Sequence, residues 1–384
     1  MYNNRRVIEI RILFFNRLVG CHVGGTETHI KELALRFAER GHEVHLLTTE
    51  GTELRDLENK IKVWYIGKNW RETPISRGIK SDFWLPLFAS FFAVKSLYKL
   101  IRLRLQGEKF DVISVHCALE GFILWIFKWI IRTPHLFVFE GYTDVEARIG
   151  KHSDTQIAIS NTIAKKCQNK YGFLPIVIPV GIDVKRFSPN GKKISLDYPK
   201  DHKLVLGVGR LSQQKKFDVL INAAKILSKE AIQLQFIIVG DGSEKKNLQL
   251  LINKLDLTSK VSLVGRVSDE ELSMYYRSSD FFVNTEVNGG DQFWIVVIEA
   301  MSSGLPVIIT SRHGPPEVVG DAAIWVHPDN PELLAKKILE VASNDNLSND
   351  LSTKSLDWSG RFNWSNLIIE YEKAYLQTIK VKKE

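Results

Sequence analysis

Strand-like apolar runs that end in glycine-rich turns and lead into amphipathic helices recur in both halves of this chain. The first run covers residues 7–16, and the glycines that follow it, Gly24 and Gly25, precede apolar residues at helical spacing over 30–38. A run at 203–208 restarts the same pattern. Strand, glycine turn and helix together make one βα unit of a parallel sheet. The sequence therefore predicts an α/β protein with two Rossmann-like, doubly wound domains that face a cleft.

The predicted domain boundary lies in residues 188–202, a polar stretch that contains proline, glycine and lysine. Such a composition is typical of linkers between domains. We therefore predict a first domain over 1–187 and a second over 188–361. Residues 362–384 are predicted to form a terminal helix, because aromatic and aliphatic residues recur there at helical spacing.

Composition and cysteine usage narrow the class of protein. With 384 residues, of which 44% are hydrophobic and 25% charged, the chain is long enough to bury two cores. Its three cysteines form no C-x-x-C pair, which predicts a reducing compartment and no zinc site. No small-residue cleavage site follows the first strand-like run. We therefore expect no signal peptide and a cytoplasmic location.

Positive charge is concentrated in the first half of the chain. Residues 1–188 carry 28 Lys and Arg against 19 Asp and Glu, whereas residues 189–384 carry 24 against 25. This asymmetry predicts an anionic partner for the first half, such as a membrane surface or a phosphorylated acceptor. A basic surface that serves only solubility is the alternative. We expect no nucleic-acid partner, because no aromatic-basic recognition motif accompanies the charge.

Two apolar stretches, 83–94 and 121–131, lie between predicted strands of the first half. Neither reaches the roughly 18 uninterrupted apolar residues of a spanning helix. For 83–105, which ends in lysines and arginines, a buried helix and an interfacial helix at the inner face of a membrane are equal alternatives. For 121–131 we favour a buried helix.

Two cations, Arg210 and Lys215, follow the predicted strand at 203–208. A guanidinium binds two phosphate oxygens and an ammonium adds a second charge, so the pair predicts a clamp for a diphosphate. Such cations stabilise a leaving diphosphate without a metal. No Asp-x-Asp or dense carboxylate cluster accompanies them, so we expect no metal site. Two solvated cations at the start of a helix are the alternative.

Two carboxylates, Asp291 and Glu299, stand eight positions apart at the start of and within a predicted helix over 295–303. The first amides of a helix lack internal partners and favour an anion. The segment therefore offers two hydroxyl-binding carboxylates beside a phosphate site, an arrangement that suits a nucleotide sugar. An N-capping aspartate followed by a solvated glutamate is the alternative.

Polar residues and glycines also stand at the carboxyl ends of other predicted strands, where open α/β sheets bind ligands. His116 and Glu140 end two strands of the first half. Glycines in such turns let a backbone approach a phosphate closely, although a plain tight turn explains them nearly as well. The further candidates of this kind are Gly24, Gly25, Gly209, Gly240, Gly265 and Arg266.

Taken in order, these motifs resemble those of the retaining family-4 glycosyltransferases of the GT-B fold. The resemblance is carried by Gly-Arg-Leu-Ser-x-x-Lys at 209–215, Gly-Asp-Gly at 240–242, Asp-x7-Glu-Ala-Met at 291–301 and Gly-Leu-Pro-Val at 304–307. Gly-Gly-Thr-Glu-Thr-His at 24–29 and Pro-Val-Gly-Ile-Asp at 179–183 extend it into the first half. It covers nearly the whole chain and is sparse between residues 50 and 175.

The resemblance implies roles for individual residues. Arg210 and Lys215 bind the donor diphosphate, Glu299 binds the ribose hydroxyls, and Asp291 binds the donor sugar. Gly25 approaches the phosphates from the opposite domain, and the terminal helix crosses back onto the first domain. The implied reaction moves a sugar from a nucleotide-diphosphate sugar to a glycan, glycolipid or lipid-linked acceptor, with no cofactor.

The chain departs from the family pattern at three positions. The first acid of the family's Glu-x7-Glu is Asp291, shorter by one methylene. Trp294, beside Phe293 of the family's substrate-binding turn, stands where a small residue is common. Glu140 stands where relatives carry a histidine near the reacting sugar. A nucleotide-sugar-binding protein without transfer activity, and another GT-B enzyme such as a sugar-nucleotide epimerase, are therefore alternatives.

Overall fold

A computed structural model describes the protein over most of its length. The described residues are 8–19, 24–51, 54, 57–68, 81–196, 198–199, 201–286, 293–310 and 316–381. The chain divides into two compact units, Met1–Val180 together with Ser365–Glu384, and Gly181–Trp364. This division falls between Val180 and Gly181, N-terminal to the predicted boundary at 188, so residues 181–187 pack with the second unit.

The first unit is built on a parallel sheet. Its strands are β1 (Arg11–Phe15), β2 (Glu43–Glu50), β3 (Lys62–Lys68), β4 (Val112–Val115), β5 (His135–Phe139), β6 (Thr155–Ala158) and β7 (Ile176–Val177). Within the described residues they pair in the order β3-β2-β1-β4-β5-β6-β7. β1 pairs with β2 on one side and with β4 on the other, so the direction of winding reverses there. The carboxyl ends of β1 and β4 therefore flank a position where such sheets bind ligands.

Helices cover this sheet. They are α1 (Gly25–Glu39), α2 (Ser81–Leu105), α3 (Ala118–Ile126), α4 (Lys128–Ile131), α5 (Asp144–Gly150) and α6 (Asn161–Tyr171). In α1 the residues Ile30, Leu33, Ala34 and Phe37 recur every three or four positions, and all are buried. This apolar stripe fixes α1 against the sheet. Gly41 follows the helix with a φ of +89°, a conformation that glycine adopts without a steric penalty.

The second unit repeats the architecture. Its strands are β8 (Lys203–Val208), β9 (Leu234–Val239), β10 (Val261–Gly265), β11 (Phe281–Asn284), β12 (Val307–Thr310) and β13 (Ala323–Val326). In the part of this unit that is described they form one parallel sheet in the order β10-β9-β8-β11-β12-β13. β8 pairs with both β9 and β11, which makes it the strand at which winding reverses.

The helices of the second unit lie between and after these strands. They are α7 (Phe217–Leu227), α8 (Lys245–Lys254), α9 (Asp269–Ser278), α10 (Ile295–Ser302), α11 (Pro316–Val319), α12 (Pro331–Ser343) and α13 (Asp345–Ser359). α9 starts with a reciprocal cap, in which the Ser268 hydroxyl accepts from the Glu271 amide and the Glu271 carboxylate accepts from the Ser268 amide. Short 3-10 turns cover Gln213–Lys215 and Gly360–Phe362.

The last helix, α14 (Trp364–Val381), belongs to the first unit from Ser365 onwards. Tyr371 and Tyr375 on its inner face are fully buried there. Glu372 accepts a 2.5 Å hydrogen bond from the guanidinium of Arg40, and Thr378 donates one of 2.8 Å to the hydroxyl of Thr155. The chain therefore ends as an integral layer of the unit with which it began.

The predicted fold class, α/β with two Rossmann-like units, is confirmed. The strands that sequence reasoning missed are β6, β7 and β13, which have four, two and four residues. Such short strands carry too few alternating positions to stand out from neighbouring loops.

The expectation that 121–131 is a buried helix is wrong for half of its side chains. The segment forms α3 and α4, which break at Phe127. Ile123, Leu124 and Ile131 are buried, whereas Trp129 is 78% exposed. Helices this short present one face to the sheet, so the opposite apolar face stays in solvent. Among the described residues, no helix has both the length and the apolar character needed to cross a bilayer.

Candidate active site

The loops that follow β8 and β9 interlock at the carboxyl ends of the second sheet. The amide of Gly209 donates to the carbonyl of Val239 (3.0 Å), and the amide of Leu211 donates to the carbonyl of Asp241 (3.0 Å). Gly240 has a φ of +146°, and a Cβ added there would lie 1.9 Å from the carbonyl oxygen of Gly209. Only glycine permits this approach, so the sequence at 209 and 240 fixes the shape of the paired loops.

Lys215 is held at this position by a buried acid. Its Nζ donates a 2.5 Å hydrogen bond to Oε2 of Glu286, a residue that is 2% exposed and follows β11. The carbonyl of Lys215 accepts a 2.6 Å hydrogen bond from the hydroxyl of Thr285. The ammonium group is therefore anchored at the carboxyl ends of β8 and β11, which are neighbouring strands of the sheet. Sequence reasoning missed Glu286, although an acid directly after a buried strand is a signal that could have identified it.

The other predicted cation, Arg210, is exposed and directly follows Gly209 in the same loop. Arg266 is also exposed and follows Gly265, whose carbonyl accepts a 2.8 Å hydrogen bond from the amide of Gly240. The exposed guanidinium groups and the half-buried ammonium of Lys215 thus lie on the loops that follow β8 and β10, the two strands on either side of β9. Cations on such loops can bind an anionic ligand.

Glu299 lies on α10 and is largely buried. Its Oε2 is 3.0 Å from the hydroxyl of Tyr276, which also lies 3.0 Å from the carbonyl of Val296. Burial, together with the adjacent carboxylate, raises the pKa of Tyr276 well above its usual value. Tyr276 therefore remains a neutral hydroxyl that fixes the orientation of Glu299. Asp291, the other acid of the motif, lies outside the described residues.

Trp294 was predicted to bind substrate, but the structure places its side chain in the core. It precedes α10 and is 2% exposed, with its ring 6.2 Å from that of Trp325. The large apolar ring is buried in the core of the unit, so its side chain offers no open surface to a ligand. Phe293 is half-buried, and its ring lies edge-on to Phe362 at 5.5 Å.

In the first unit, Glu140 and His116 directly follow β5 and β4, and they are in contact. Oε1 of Glu140 lies 2.7 Å from Nδ1 of His116 and 2.6 Å from Nδ1 of His29 on α1. Among the described residues the second oxygen, Oε2, makes no hydrogen bond. One oxygen is therefore anchored twice, and the other makes no hydrogen bond within the described part of the chain. Sequence reasoning missed His29, although it ends the Gly-Gly-Thr-Glu-Thr-His motif and interrupts the apolar face of α1.

Hydroxyl groups hold the outer nitrogens of both histidines. Nε2 of His29 lies 3.1 Å from the hydroxyl of Tyr371, and Nε2 of His116 lies 3.1 Å from that of Ser114. Ser114 in turn accepts a 2.7 Å hydrogen bond from Tyr375. All of these side chains are buried. Two hydrogen-bonded chains thus connect the C-terminal helix to one carboxylate oxygen.

These contacts set the charge of Glu140. Burial alone would raise its pKa, but the charge of His29 and the hydrogen bonds from both histidines lower the pKa of Glu140 to about 2. Burial also lowers the pKa of His116, and the neighbouring carboxylate opposes this only in part. At neutral pH Glu140 is therefore an anion and His116 is neutral. An anionic carboxylate cannot act as a general acid, but it can accept a hydrogen bond or stabilise positive charge.

The trio of His29, His116 and Glu140 is also a set of side chains that can ligate a metal, with donor atoms all within 4.8 Å of one another. Nitrogen and oxygen ligands of zinc lie about 2.0–2.2 Å from the ion, which separates them from each other by roughly 3.3 Å in a tetrahedral site. The observed separations from Oε1 are 2.6 and 2.7 Å. They match hydrogen bonds, and a metal would require the trio to open.

The predicted glycines of the first unit lie at the start of α1. Gly24 is extended (φ −160°, ψ 178°) and its carbonyl accepts from the amide of Thr28, while Gly25 is exposed and is the first residue of the helix. The first amides of α1 have no partner within the helix, which favours an anion nearby. The same helix places His29 against Glu140 one turn later.

Two family models match consecutive parts of this chain. Glycosyltransferase Family 4 matches residues 23–186, and Glycosyl transferases group 1 matches residues 192–358. The chain is a family-4 glycosyltransferase. The predicted family is thereby confirmed, and the two models together span both Rossmann-like units.

Known relatives of this glycosyltransferase match it over nearly its whole length. An uncharacterized glycosyltransferase of Methanocaldococcus jannaschii is 29% identical over 92% of this chain and 94% of its own. The phosphatidyl-myo-inositol mannosyltransferase of Mycolicibacterium smegmatis is 24% identical over 92% of this chain and 90% of its own.

Solved structures of the GT-B fold resemble this glycosyltransferase equally broadly. Sucrose-phosphate synthase from Thermosynechococcus elongatus has a TM-score of 0.76 at 19% identity, covering 96% of this chain and 99% of its own. The Anabaena protein HepE, in complex with UDP and glucose, has a TM-score of 0.75 at 18% identity, covering 96% of this chain and 100% of its own. These likenesses establish the fold as GT-B. The family matches support a nucleotide-sugar donor for this glycosyltransferase.

Proposed function

We propose that this protein is a retaining, metal-independent enzyme that moves a sugar from a nucleoside-diphosphate sugar to a hydroxyl of a glycan or lipid-linked acceptor. The observation that carries the proposal is the state of Glu140. It is an anion with one oxygen held by two histidines and the other making no hydrogen bond among the described residues. A carboxylate fixed in this way is suited to stabilise positive charge as it develops on a sugar.

The second unit supplies the donor-binding groups in this proposal. Arg210 and Lys215 bind the diphosphate, Glu299 binds the ribose hydroxyls, and Asp291 binds the sugar. The anchoring of Lys215 by Glu286 supports its role, because a pre-positioned ammonium loses less freedom when it meets a phosphate. The orientation of Glu299 by Tyr276 supports its role in the same way.

The reaction begins with cleavage of the bond between the anomeric carbon and the diphosphate oxygen, whose electron pair leaves with the nucleoside diphosphate. Arg210 and Lys215 stabilise that negative charge, and Glu140 stabilises the positive charge at the anomeric carbon. The acceptor oxygen then bonds to the anomeric carbon on the face that the diphosphate leaves. Its proton passes to the departing diphosphate. The anomeric configuration of the donor is therefore kept.

The stereochemistry and the donor can be tested on the purified full chain. UDP-, GDP- and ADP-sugars are first screened for thermal stabilisation, because a ligand at about 100 Kd adds roughly 2.7 kcal/mol. The stabilising donor is then supplied with lipid-linked and glycan acceptors, and the anomeric coupling of the product is read by proton NMR. We expect the configuration of the donor. An inverted product would contradict retention, and donor binding without transfer to any acceptor would favour a binding protein.

We expect the enzyme to be metal-independent, because Arg210 and Lys215 supply the positive charge at the diphosphate that a metal ion would otherwise supply. Activity measured after dialysis against EDTA should equal that of the untreated enzyme. Loss of activity on chelation, with recovery on addition of Mn²⁺ or Zn²⁺, would contradict this part of the proposal. Such a result would implicate His29, His116 and Glu140 as the metal ligands.

We further place the acceptor at a lipid surface, at the inner face of a membrane. α2 packs against α3 and α4, and exposed apolar and cationic side chains lie together on these helices. Trp129 is 78% exposed beside Lys128, and Phe91 is 59% exposed beneath the ammonium of Lys95. Aromatic rings that enter lipid, with lysines that meet headgroups, are typical of interfacial helices. Phosphatidyl-myo-inositol, named for the mycobacterial relative, is a lipid of the proposed kind.

Vesicle sedimentation tests this placement. The protein should bind vesicles that contain phosphatidylglycerol and leave vesicles of pure phosphatidylcholine unbound. Trp129→Ala should weaken that binding by about tenfold, since a large aromatic side chain loses its contact with lipid. Leu250→Ala is the matched control, because Leu250 is 67% exposed in the other unit. Equal loss in the two variants, or no binding to either vesicle, would contradict the placement.

A further inference from the structure

We infer that Glu27, in the first turn of α1, binds neighbouring hydroxyls of the acceptor and so selects an acceptor that carries a sugar or similar polyol ring. The inference rests on the proposed function, because it names the acceptor class of that reaction. Glu27 is 5% exposed, and in the described part of the chain no hydrogen bond or ion pair reaches its carboxylate. A buried acid without a partner costs stability, so its presence needs an explanation outside folding.

Helix capping does not account for this acid. Glu27 is the third residue of α1, a position from which a glutamate side chain can reach back to the amide of the cap residue. In α9, Glu271 makes this contact with the amide of Ser268 over 3.0 Å. Glu27 makes no such contact with Gly24, the cap residue of α1. The positive end of the helix dipole favours a carboxylate here, but it leaves both oxygens without a donor.

Glu27 lies in the crevice where the winding of the first sheet reverses. Burial raises the pKa of the Cys117 thiol, and the charges of Glu120, Arg17, Glu146 and Glu27 act on it as well, so these groups share one neighbourhood. Cys117 stands between the end of β4 and the start of α3. A crevice at this point of an open α/β sheet is where ligands bind.

A cation of this crevice is paired with a different acid. The amide and the guanidinium of Arg17 donate to the two oxygens of Glu120, each over 2.9 Å, and Glu120 is 0% exposed. The carbonyl of Arg17 accepts a 2.6 Å hydrogen bond from the hydroxyl of Thr49. The loop after β1 is therefore held from both sides, and its arginine neutralises Glu120 rather than Glu27.

The chemistry of the acceptor supplies the donors that Glu27 lacks. A carboxylate has two oxygens that accept hydrogen bonds, and two hydroxyls on neighbouring ring carbons can meet both oxygens at once. The proposed transfer requires an acceptor with a hydroxyl. The outer face of α3 carries Phe122 and Ile126, which are 39% and 46% exposed and belong to the helices proposed to meet lipid. A sugar headgroup at the start of α3 thus lies beside the surface proposed for its lipid.

The first test is urea unfolding of the ligand-free, full-length protein. Glu27→Gln should have a midpoint equal to or above that of wild type, because relief of the unpartnered carboxylate outweighs the lost interaction with the helix dipole. Glu39→Gln is the matched control, since Glu39 lies in the last turn of α1 with its side chain 50% exposed. A midpoint for Glu27→Gln below that of Glu39→Gln would make Glu27 a structural residue and overturn the inference.

The second test is saturation-transfer NMR in the presence of the nucleoside diphosphate that stabilises the protein. The probes are methyl α-D-mannopyranoside and methyl α-D-glucopyranoside, which carry neighbouring hydroxyls, and tetrahydropyran-2-methanol, which lacks them. Wild type should bind at least one glycoside and should not bind tetrahydropyran-2-methanol. Glu27→Gln should weaken glycoside binding about 10- to 100-fold, because hydrogen bonds to a charged group are lost. Glu39→Gln should bind the glycosides as wild type does.

The outcomes separate this inference from the proposed function. Absence of binding of either glycoside to wild type, or equal binding to wild type and Glu27→Gln, would overturn the inference. Glycoside binding that depends on Glu27, without transfer to any acceptor, would leave the polyol site standing and remove the proposed function. Sugar transfer by Glu27→Gln with the wild-type KM for the acceptor would remove the inference and leave the proposed function.

Discussion

Nζ of Lys215 lies 2.5 Å from Oε2 of Glu286, and this ion pair joins the loop after β8 to the end of β11. The carboxylate is 2% exposed, so it depends on the ammonium for its charge balance. Lys215 neutralises a buried acid and, in the proposed function, also offers a cation to the donor. Substitution can separate these two functions.

Replacement of Lys215 should affect both functions, and a second substitution should restore only one. Lys215→Met leaves Glu286 buried without its cation, which should lower the free energy of unfolding by about 1–3 kcal/mol. The double variant with Glu286→Gln should recover most of that stability, because the amide carries no charge. Both variants should bind nucleoside diphosphate weakly. Urea unfolding and calorimetric titration measure these quantities.

Lys216→Met is the matched control for Lys215. Its ammonium pairs with Asp329 over 3.1 Å in a solvent-exposed setting, where an ion pair contributes at most about 1 kcal/mol. It should leave nucleotide affinity unchanged. Wild-type affinity for UDP and GDP in Lys215→Met would remove this residue from the donor site.

Arg210→Ala should reduce affinity with little effect on stability. Arg210 is exposed, and the interactions of an exposed charge contribute at most about 1 kcal/mol to stability. A charge-assisted contact to a phosphate is worth about 1.5–3 kcal/mol, which corresponds to a roughly 10- to 100-fold rise in the Kd of the nucleoside diphosphate. Lys229→Ala, exposed beyond the far end of α7, is the control. Equal affinities in the two variants would argue against a diphosphate clamp.

Glu140→Gln should lower kcat strongly, by about 100-fold or more, while nucleotide affinity stays within twofold. The amide keeps the shape of the side chain but loses the charge that stabilises the anomeric carbon. Steady-state kinetics and calorimetric titration of the diphosphate provide the comparison. Glu146→Gln removes a nearby carboxylate that contacts neither histidine, and it should retain activity. Turnover of Glu140→Gln at the wild-type rate would make Glu140 a structural residue.

The low pKa of Glu140, about 2, predicts a loss of stability in acid. A carboxylate whose pKa is depressed by folding contributes stability that is fully present above its unfolded pKa, about 4.5, and is lost as pH falls towards 2. The free energy of unfolding of wild type, measured in urea, should therefore fall steadily as the pH is lowered from 4.5 to 2. Glu43, with a pKa of about 2 set first by its hydrogen bond from Arg11, contributes in the same window. The difference between wild type and Glu140→Gln isolates the Glu140 component, and parallel pH profiles would contradict it.

Gly240→Ala should destabilise the second unit and impair nucleotide binding. The added Cβ would lie 1.9 Å from the carbonyl oxygen of Gly209, so the paired loops must separate. Overpacking of this kind costs about 1–3 kcal/mol, in addition to about 1–2 kcal/mol for a positive φ. Gly172→Ala is the control, since its φ is +73° and a Cβ there meets nothing within 4 Å. A melting temperature for Gly240→Ala no lower than that of the control would show that the loops are not constrained as described.

The sequence by itself determined the fold class and the family. Repeated strand, glycine turn and helix predict parallel sheets, because each element is specified by local periodicity and turn chemistry. The loop motifs with Arg210 and Lys215 were identifiable for the same reason, since a motif is a set of residues at fixed short spacing. His116 and Glu140 were also found, because they directly follow apolar runs.

Only the tertiary structure decided what surrounds those residues. His29 and Tyr371 converge on Glu140 from α1 and α14, and Glu286 reaches Lys215 from 71 positions away. Trp294, expected at the substrate, lies in the core instead. Such relationships depend on strand order and on which face of each helix is buried. Local spacing carries no information about either, so hydrogen-bond partners, burial and the charge of a carboxylate follow only once distant segments are packed together.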